Sequence, residues 1–356
     1  MVKLIRLSIG LVLLLLPLGV VMAQSNDSEA DAPVMSYPPR YQLDGFRYEA
    51  QGWNNCGPAT LTMGLSYFGY QDNQERAAQW LKPNTEDKNV SPWQMLEFVN
   101  TQVPELPVYS LKRYGGDLDT LRLLISNDFP VIIELGYDPE SAAQGWMGHY
   151  LLMTGYDDAR QMFVTHDSYD GANLEYSYDH VQNFWQHFNY VYLVLYESAR
   201  EPELLDLLGS DADLSQNYIN AFEIARAEAI ADSEDSFAWF NMGSMLVELE
   251  MYEDAAIAFD QARNVGDGLP WRMLWYQFGP LEAYNAVGRY EDTIALVSTL
   301  RESSSDYVEE AFYYAAVARE MMGETQRAID NYNAVLAFNP NFHPALERRD
   351  ALLEQT

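Results

Sequence analysis

The chain has 356 residues, a formal net charge of −32 and no lysine after Lys112. Nucleic-acid binding needs a cationic face that displaces counterions from phosphate, and no basic stripe is present; anionic membrane surfaces repel such a chain for the same reason. With 48% hydrophobic residues the chain can build packed cores, and its length fits two domains. The acid excess suits solubility or a salty habitat, and it also attracts basic peptides.

Residues 1–23 read as a signal peptide. Lys3 and Arg6 supply the positive start, Leu7 to Val21 the apolar run, and Val21-Met22-Ala23 the small residues at a cleavage site. The run falls short of the roughly 20 apolar residues that a bilayer span needs. The expected location is therefore extracytoplasmic, with no membrane span after signal removal. Lipid anchoring needs a Cys at the cleavage site, and the single Cys is Cys56. Residues 24–40 are polar and acidic, with Pro33, Pro38 and Pro39, and read as a disordered linker.

Residues 41–200 have mixed α/β texture. Pro58 to Phe68 reads as a helix, with Leu61, Leu65 and Phe68 on one side. Gln74–Leu81, Pro92–Val99 and Asp117–Ser126 follow as further helices. Strands are expected at 131–135, 150–154, 162–165 and 190–196. From 201 the texture is all-helical, with connecting helices over 201–235.

The chemistry centres on Gln51-Gly-Trp-Asn-Asn-Cys56-Gly57-Pro58-Ala59. A thiol attacks an acyl carbon as its anion, and the partial positive charge at a helix start favours that anion. Asn54 or Asn55 is expected to cap this helix, and Pro58 is tolerated in its first turn. Gly57 and Ala59 are expected to keep the approach uncrowded. Gln51 can place an amide beside Cys56, so that with the Cys56 N–H it forms a two-donor oxyanion site. The general acid must be a histidine. His343 lies in the helical region, and His180 and His187 flank an aromatic helix-like segment, which leaves His149 and His166. Centring the hairpin turn on Asp158 puts residue 149 opposite residue 167, which pairs His149 with Asp167 and turns His166 to the other face. A one-residue slip reverses that choice. Trp53 and Trp146 flank the motifs, as cleft wall or as packing. No metal-ligand spacing, phosphate loop or nucleotide motif occurs, so neither metal nor cofactor is expected.

Gln51, Asn55-Cys56-Gly57-Pro58-Ala59, Gly148-His149-Tyr150, Gly155-Tyr156-Asp157 and His166-Asp167-Ser168 together resemble the papain-like peptidases of the double-glycine leader peptidase family, in its soluble exported branch. Phe184-Trp185 before the last strand is similar to that branch too. The resemblance covers about 41–200. It implies an α+β papain-like cysteine peptidase domain, with a helical half and an antiparallel sheet. It also implies Cys56 as nucleophile, His149 as acid/base, Asp167 as orienting residue and Gln51 as oxyanion donor. Asn55 stands where transporter-linked members carry Asp, and Ser168 where Pro is common.

In the helical region Trp239, Gly243, Ala255, Phe259 and Ala262 match tetratricopeptide spacing, and Ala328, Tyr332 and Pro340 match another copy. Gly288-Arg289-Tyr290-Glu291-Asp292 echoes Met251-Tyr252-Glu253-Asp254, with Thr293 and Val297 in a degenerate middle copy. The expectation is about three such repeats over 236–356, an all-α solenoid that binds a protein partner or substrate, or else caps the first domain. Three functions fit: an exported thiol peptidase acting on a peptide or protein substrate, an inactive peptide-binding scaffold, and an acyl transferase or cell-wall amidase.

Overall fold

The computed structural model describes residues 37–138 and 145–355. The signal peptide expected at 1–23, and all of the expected linker before Tyr37, lie outside the described residues. From Tyr37 onward the chain forms one compact unit. Among the described residues, no helix is long and apolar enough to cross a membrane.

A short strand β1 (Arg40–Gln42) precedes three helices: α1 (Cys56–Ser66), α2 (Gln74–Leu81) and α3 (Pro92–Gln102). Then come β2 (Val108–Arg113), α4 (Leu118–Ser126), β3 (Val131–Tyr137), β4 (Met147–Asp157), β5 (Met162–Asp167), β6 (Gly171–Ser177), α5 (Tyr178–Trp185) and β7 (Tyr192–Glu197). The strands form one antiparallel sheet in the order β2-β7-β3-β4-β5-β6, with β1 added on β4. The four strands read from the sequence are present, and β4 extends to both sides of the expected 150–154. Strands β1, β2 and β6 escape the sequence reading. β6, Gly-Ala-Asn-Leu-Glu-Tyr-Ser, is a half-exposed edge strand without apolar alternation, so pairing with β5 defines it rather than its own pattern.

Alternate residues of the central strands feed two cores. Val131, Ile133, Leu151, Met153 and Val194 pack with α4 and α5 on one face. Ile132, Tyr150, Leu152, Leu193 and Leu195 pack with α1 to α3 on the other. This two-sided burial explains why these strands read as continuous apolar runs. The helix α1 lies close on its face: a Cβ on Gly57 would stand 3.2 Å from Val90 Cβ, and Ala59 is fully buried. Both small residues serve packing, which corrects the expectation that they keep the approach to Cys56 open.

The remaining chain is helical: α6 (Glu201–Leu208), α7 (Leu214–Ala231), α8 (Ser236–Glu248), α9 (Tyr252–Ala262), α10 (Gly279–Ala286), α11 (Tyr290–Ser304), α12 (Glu309–Met321), α13 (Thr325–Phe338) and α14 (His343–Glu354). Ala255, Thr293 and Ala328 are each the fourth residue of α9, α11 and α13, and each is fully buried. Gly243 lets α8 approach the Phe259 ring, which a Cβ there would meet at 2.8 Å.

These helices grip the sheet domain at several places. On the β4 side, Arg272 Nη1 donates to Trp146 O (3.2 Å), Gln277 Nε2 to His187 O (2.8 Å) and Asn241 Nδ2 to Gln186 O (2.7 Å). On the α1–α3 side, the Lys88 N–H donates to Tyr307 O (2.9 Å), and Asn339 and Asn341 donate to Leu81 O and Trp80 O.

Candidate active site

Gln74 is the side chain with most hydrogen bonds to the segment before α1. Gln74, the first residue of α2, accepts from Gly52 N (2.7 Å) and Asn55 Nδ2 (3.0 Å) through Oε1. Its Nε2 donates to Glu49 Oε1 (2.9 Å) and Ala50 O (2.8 Å). Asn54 turns the chain at φ +53°, a conformation that Asn tolerates better than most residues. The half-buried Cys56 then opens α1.

Asn55 is the N-cap residue by position, yet its side chain makes no capping hydrogen bond. The expected Asn54 or Asn55 cap is therefore absent, because Gln74 and Lys82 hold the Asn55 amide instead. The consequence is chemical. Pro58 has no N–H, and no described acceptor takes the N–H of Cys56 or Gly57. Uncapped donors at a helix start keep their partial positive charge for an anion.

His149 sits on β4 and Asp167 ends β5. Residue 167 pairs with Leu151, not with residue 149 as the turn-centred register predicts. The β4 strand bulges at Thr154: Gly155 pairs with Val164, but Met153 with Thr165. Without the extra residue Asp167 would oppose Leu152, and its side chain would leave the His149 face. With it, Leu151, Asp167 and His149 share a face, and Asp167 becomes the diagonal neighbour of His149, a spacing that long side chains bridge. The His149 Nε2–Asp167 Oδ1 distance is 2.8 Å. His166 points to the other face, where Phe46 and Tyr48 meet its ring edge-on.

Asp167 is fully buried and accepts four hydrogen bonds. Besides His149, Oδ1 accepts from Tyr169 N (2.8 Å) and Asp170 N (3.1 Å), and Oδ2 accepts from Tyr176 OH (2.9 Å). Burial pushes its carboxyl upward, but His149 and the two backbone N–H groups outweigh that and leave it below the ordinary value. Burial likewise opposes charge on His149, yet Asp167 and then Cys56 raise it to about 10. With Nε2 held by Asp167, Nδ1 is the ring atom left to face the thiol. Replacing Tyr176 with Phe removes a charge-assisted donor from a buried carboxylate and should cost about 1.5–3 kcal/mol in urea unfolding. A loss below about 0.5 kcal/mol would mean that the hydroxyl does not support Asp167.

Gln51 reaches the same strand end. Its N–H donates to Ser168 O (2.8 Å), and Ser168 Oγ donates to Gln51 Oε1 (2.9 Å). The serine that stands where Pro is common thus orients the amide and leaves its N–H bonds for another acceptor.

The structure brings Cys56, His149, Asp167 and Gln51 to one end of the sheet, and it excludes the other histidines. His180 stacks on Tyr176. His187 stacks on Phe237 at 3.8 Å, and burial lowers it to about 4. His343 pairs with Glu97 (2.6 Å). Trp146 is packing, stacked on Phe188, whereas Trp53, just before Cys56 in the chain, is 65% exposed. Residues near the site that carry no sequence motif include Gln74, Lys82, the buried Glu134, Tyr176 and Tyr276. The last comes from the helical region and packs on Trp146 and Phe188, and burial and then the charge of Cys56 push its phenol up. A Cβ on Gly148 would meet its ring at 2.9 Å, so glycine before His149 is what admits Tyr276. Among the described residues no side-chain cluster could hold a metal ion.

Residues 34–195 match the model of the Peptidase_C39 like family, just under half of the chain. That segment is thus a cysteine-peptidase-like domain. In solved structures, a candidate C39-like peptidase from Bacillus anthracis is similar at 13% identity and a TM-score of 0.36, over 44% of this chain and 97% of that one. The MamA RS-1 ArsTM double mutant is similar at 13% identity and a TM-score of 0.34, over 44% of this chain and 84% of that one. No curated protein matches.

Proposed function

We propose that the protein is an exported thiol peptidase that hydrolyses peptide bonds through Cys56, His149 and Asp167. The observation that carries this reading is the buried His149 ring, held by Asp167 through Nε2 at 2.8 Å and raised in basicity first by Asp167 and then by Cys56. The Cys56 thiolate attacks the scissile carbonyl carbon. The oxyanion that forms meets the free N–H of Cys56 and the Gln51 amide. The His149 imidazolium gives its proton to the leaving amine, and a thioester remains. Water then loses a proton to His149, attacks the thioester and returns the thiol. Asp167 holds the ring orientation throughout.

Export follows from the signal-peptide pattern of residues 1–23. The helices from 236 onward are tetratricopeptide-like repeats that receive a protein partner or substrate. Tyr276 supports this role, because it brings the helical region to the Cys–His pair.

Alkylation of Cys56 tests the reading. Between pH 5 and 10, iodoacetamide should modify the full chain at a rate that rises well before the midpoint of about 8.5 typical of a free thiol. The early rise should vanish in His149→Ala. A wild-type profile like that of a free thiol would sink the proposal.

A further inference from the structure

Lys82 is one of only three lysines beyond the signal region, with Lys88 and Lys112. It follows the last residue of α2 and is 2% exposed. Its Nζ lies 3.1 Å from Thr85 O, 3.3 Å from Asn55 Oδ1 and 3.4 Å from Trp53 O. Three acceptors use the three N–H bonds of an ammonium, whereas a neutral amine has two. No carboxylate forms an ion pair with it among the described residues. A buried cation held only by neutral oxygens is costly, and the cost needs a reason.

The reason lies one residue away. Two of the three acceptors belong to the segment that ends in Cys56, and the Asn55 amide is clamped between Lys82 on its oxygen and Gln74 on its nitrogen. The Asn55 side chain is thereby withdrawn from capping α1, which leaves the first N–H groups of the helix free beside the thiol. The geometry points to Lys82 as the positioning and electrostatic residue of Cys56: it holds the Trp53–Asn55 segment and supplies a second fixed positive charge, besides His149, that favours the thiolate. Burial pulls the ammonium below its ordinary value, while Asp87 and then Cys56 and Glu86 work against that pull and Lys88 adds to it; on the other side the buried Glu134 carboxyl also faces Cys56 and is raised by burial and then by the thiol. In a site with little water, a unit charge several ångströms away acts far more strongly than in solvent.

This inference rests on the thiol-peptidase reading, and the two fail differently. Alkylation of Cys56 by iodoacetamide is followed from pH 5 to 10 in the full chain for wild type, Lys82→Met, Lys82→Gln and Lys82→Arg. Circular dichroism and the melting temperature check folding. In Lys82→Met and Lys82→Gln the profile should move to higher pH, with the rate at pH 6 down about tenfold or more; Lys82→Arg should keep the wild-type profile. A residue that only staples the loop would lower the melting temperature and leave the profile in place. An unmoved profile in either folded variant overturns the role of Lys82. Lys82→Gln keeps a donor for the loop, so the question stays answerable if Lys82→Met does not fold. If wild type itself reacts as a free thiol, the peptidase reading fails instead, and Lys82 loses its function with it.

Discussion

His149→Ala should lower peptide hydrolysis about 10³-fold or more while the protein stays folded. The ring is the group on which Asp167 and Cys56 both act. Without it the leaving amine has no proton source, and the Cys56 thiol has no base. Cys56→Ala should lose the activity to at least the same extent, and the double variant should be no worse than either single one, because residues that act as a unit are not additive. Turnover of a peptide library read by mass spectrometry checks this. Equal turnover by wild type and Cys56→Ala would leave a peptide-holding scaffold as the better reading.

The second large effect is on stability. Asp167→Ala removes the acceptor of four donors in a fully buried place: His149 Nε2, Tyr169 N, Asp170 N and Tyr176 OH. Breaking a buried pair by deleting one partner costs about 3–5 kcal/mol, to be read from urea unfolding at pH 6. The pH dependence follows from the directions of the shifts. His149 is raised from 6.5 to about 10 in the fold. Its contribution is complete below pH 6.5 and is lost as pH rises toward about 10. Asp167 is lowered from 3.8, so its contribution is present above pH 3.8 and is lost as pH falls through the folded value. The pair therefore stabilises most between about pH 4 and 6.5. In Asp167→Asn the alkaline decline should shrink, since burial then opposes the His149 charge with only Cys56 to offset it. An alkaline limb as steep as in wild type would show that the His149–Asp167 contact is not formed in solution.

Much of the site can be read from residue order. Cys56 opens a helix because Asn54 and Asn55 break the chain just before an apolar helical period, and Pro58 fits a first turn. His149 falls on a strand because Tyr150–Met153 is an apolar, β-forming run. The pairing of His149 with Asp167 is legible only as a residue choice, because its expected register is wrong. Two shifts cancel: the β4–β5 turn lies further along than Asp158, and the Thr154 bulge restores the face. The cap fails for a similar reason. Asn55 has the right side chain for capping, but Gln74 and Lys82, distant in sequence, compete for it and win.

The sequence by itself determined which reactive groups are on offer, since a thiol, an imidazole, a carboxylate and an amide at these separations are read from local patterns alone. It also determined where the last strand gives way to the long helical stretch. The tertiary structure decided which atoms meet. A one-residue bulge selects the face of β4 that Asp167 shares. The loop after α2 brings a buried ammonium against the segment of the nucleophile. A glycine before His149 admits a tyrosine from the helical region. Each of these depends on contacts between segments far apart in the chain, whose energy appears only when the packed core fixes their separation.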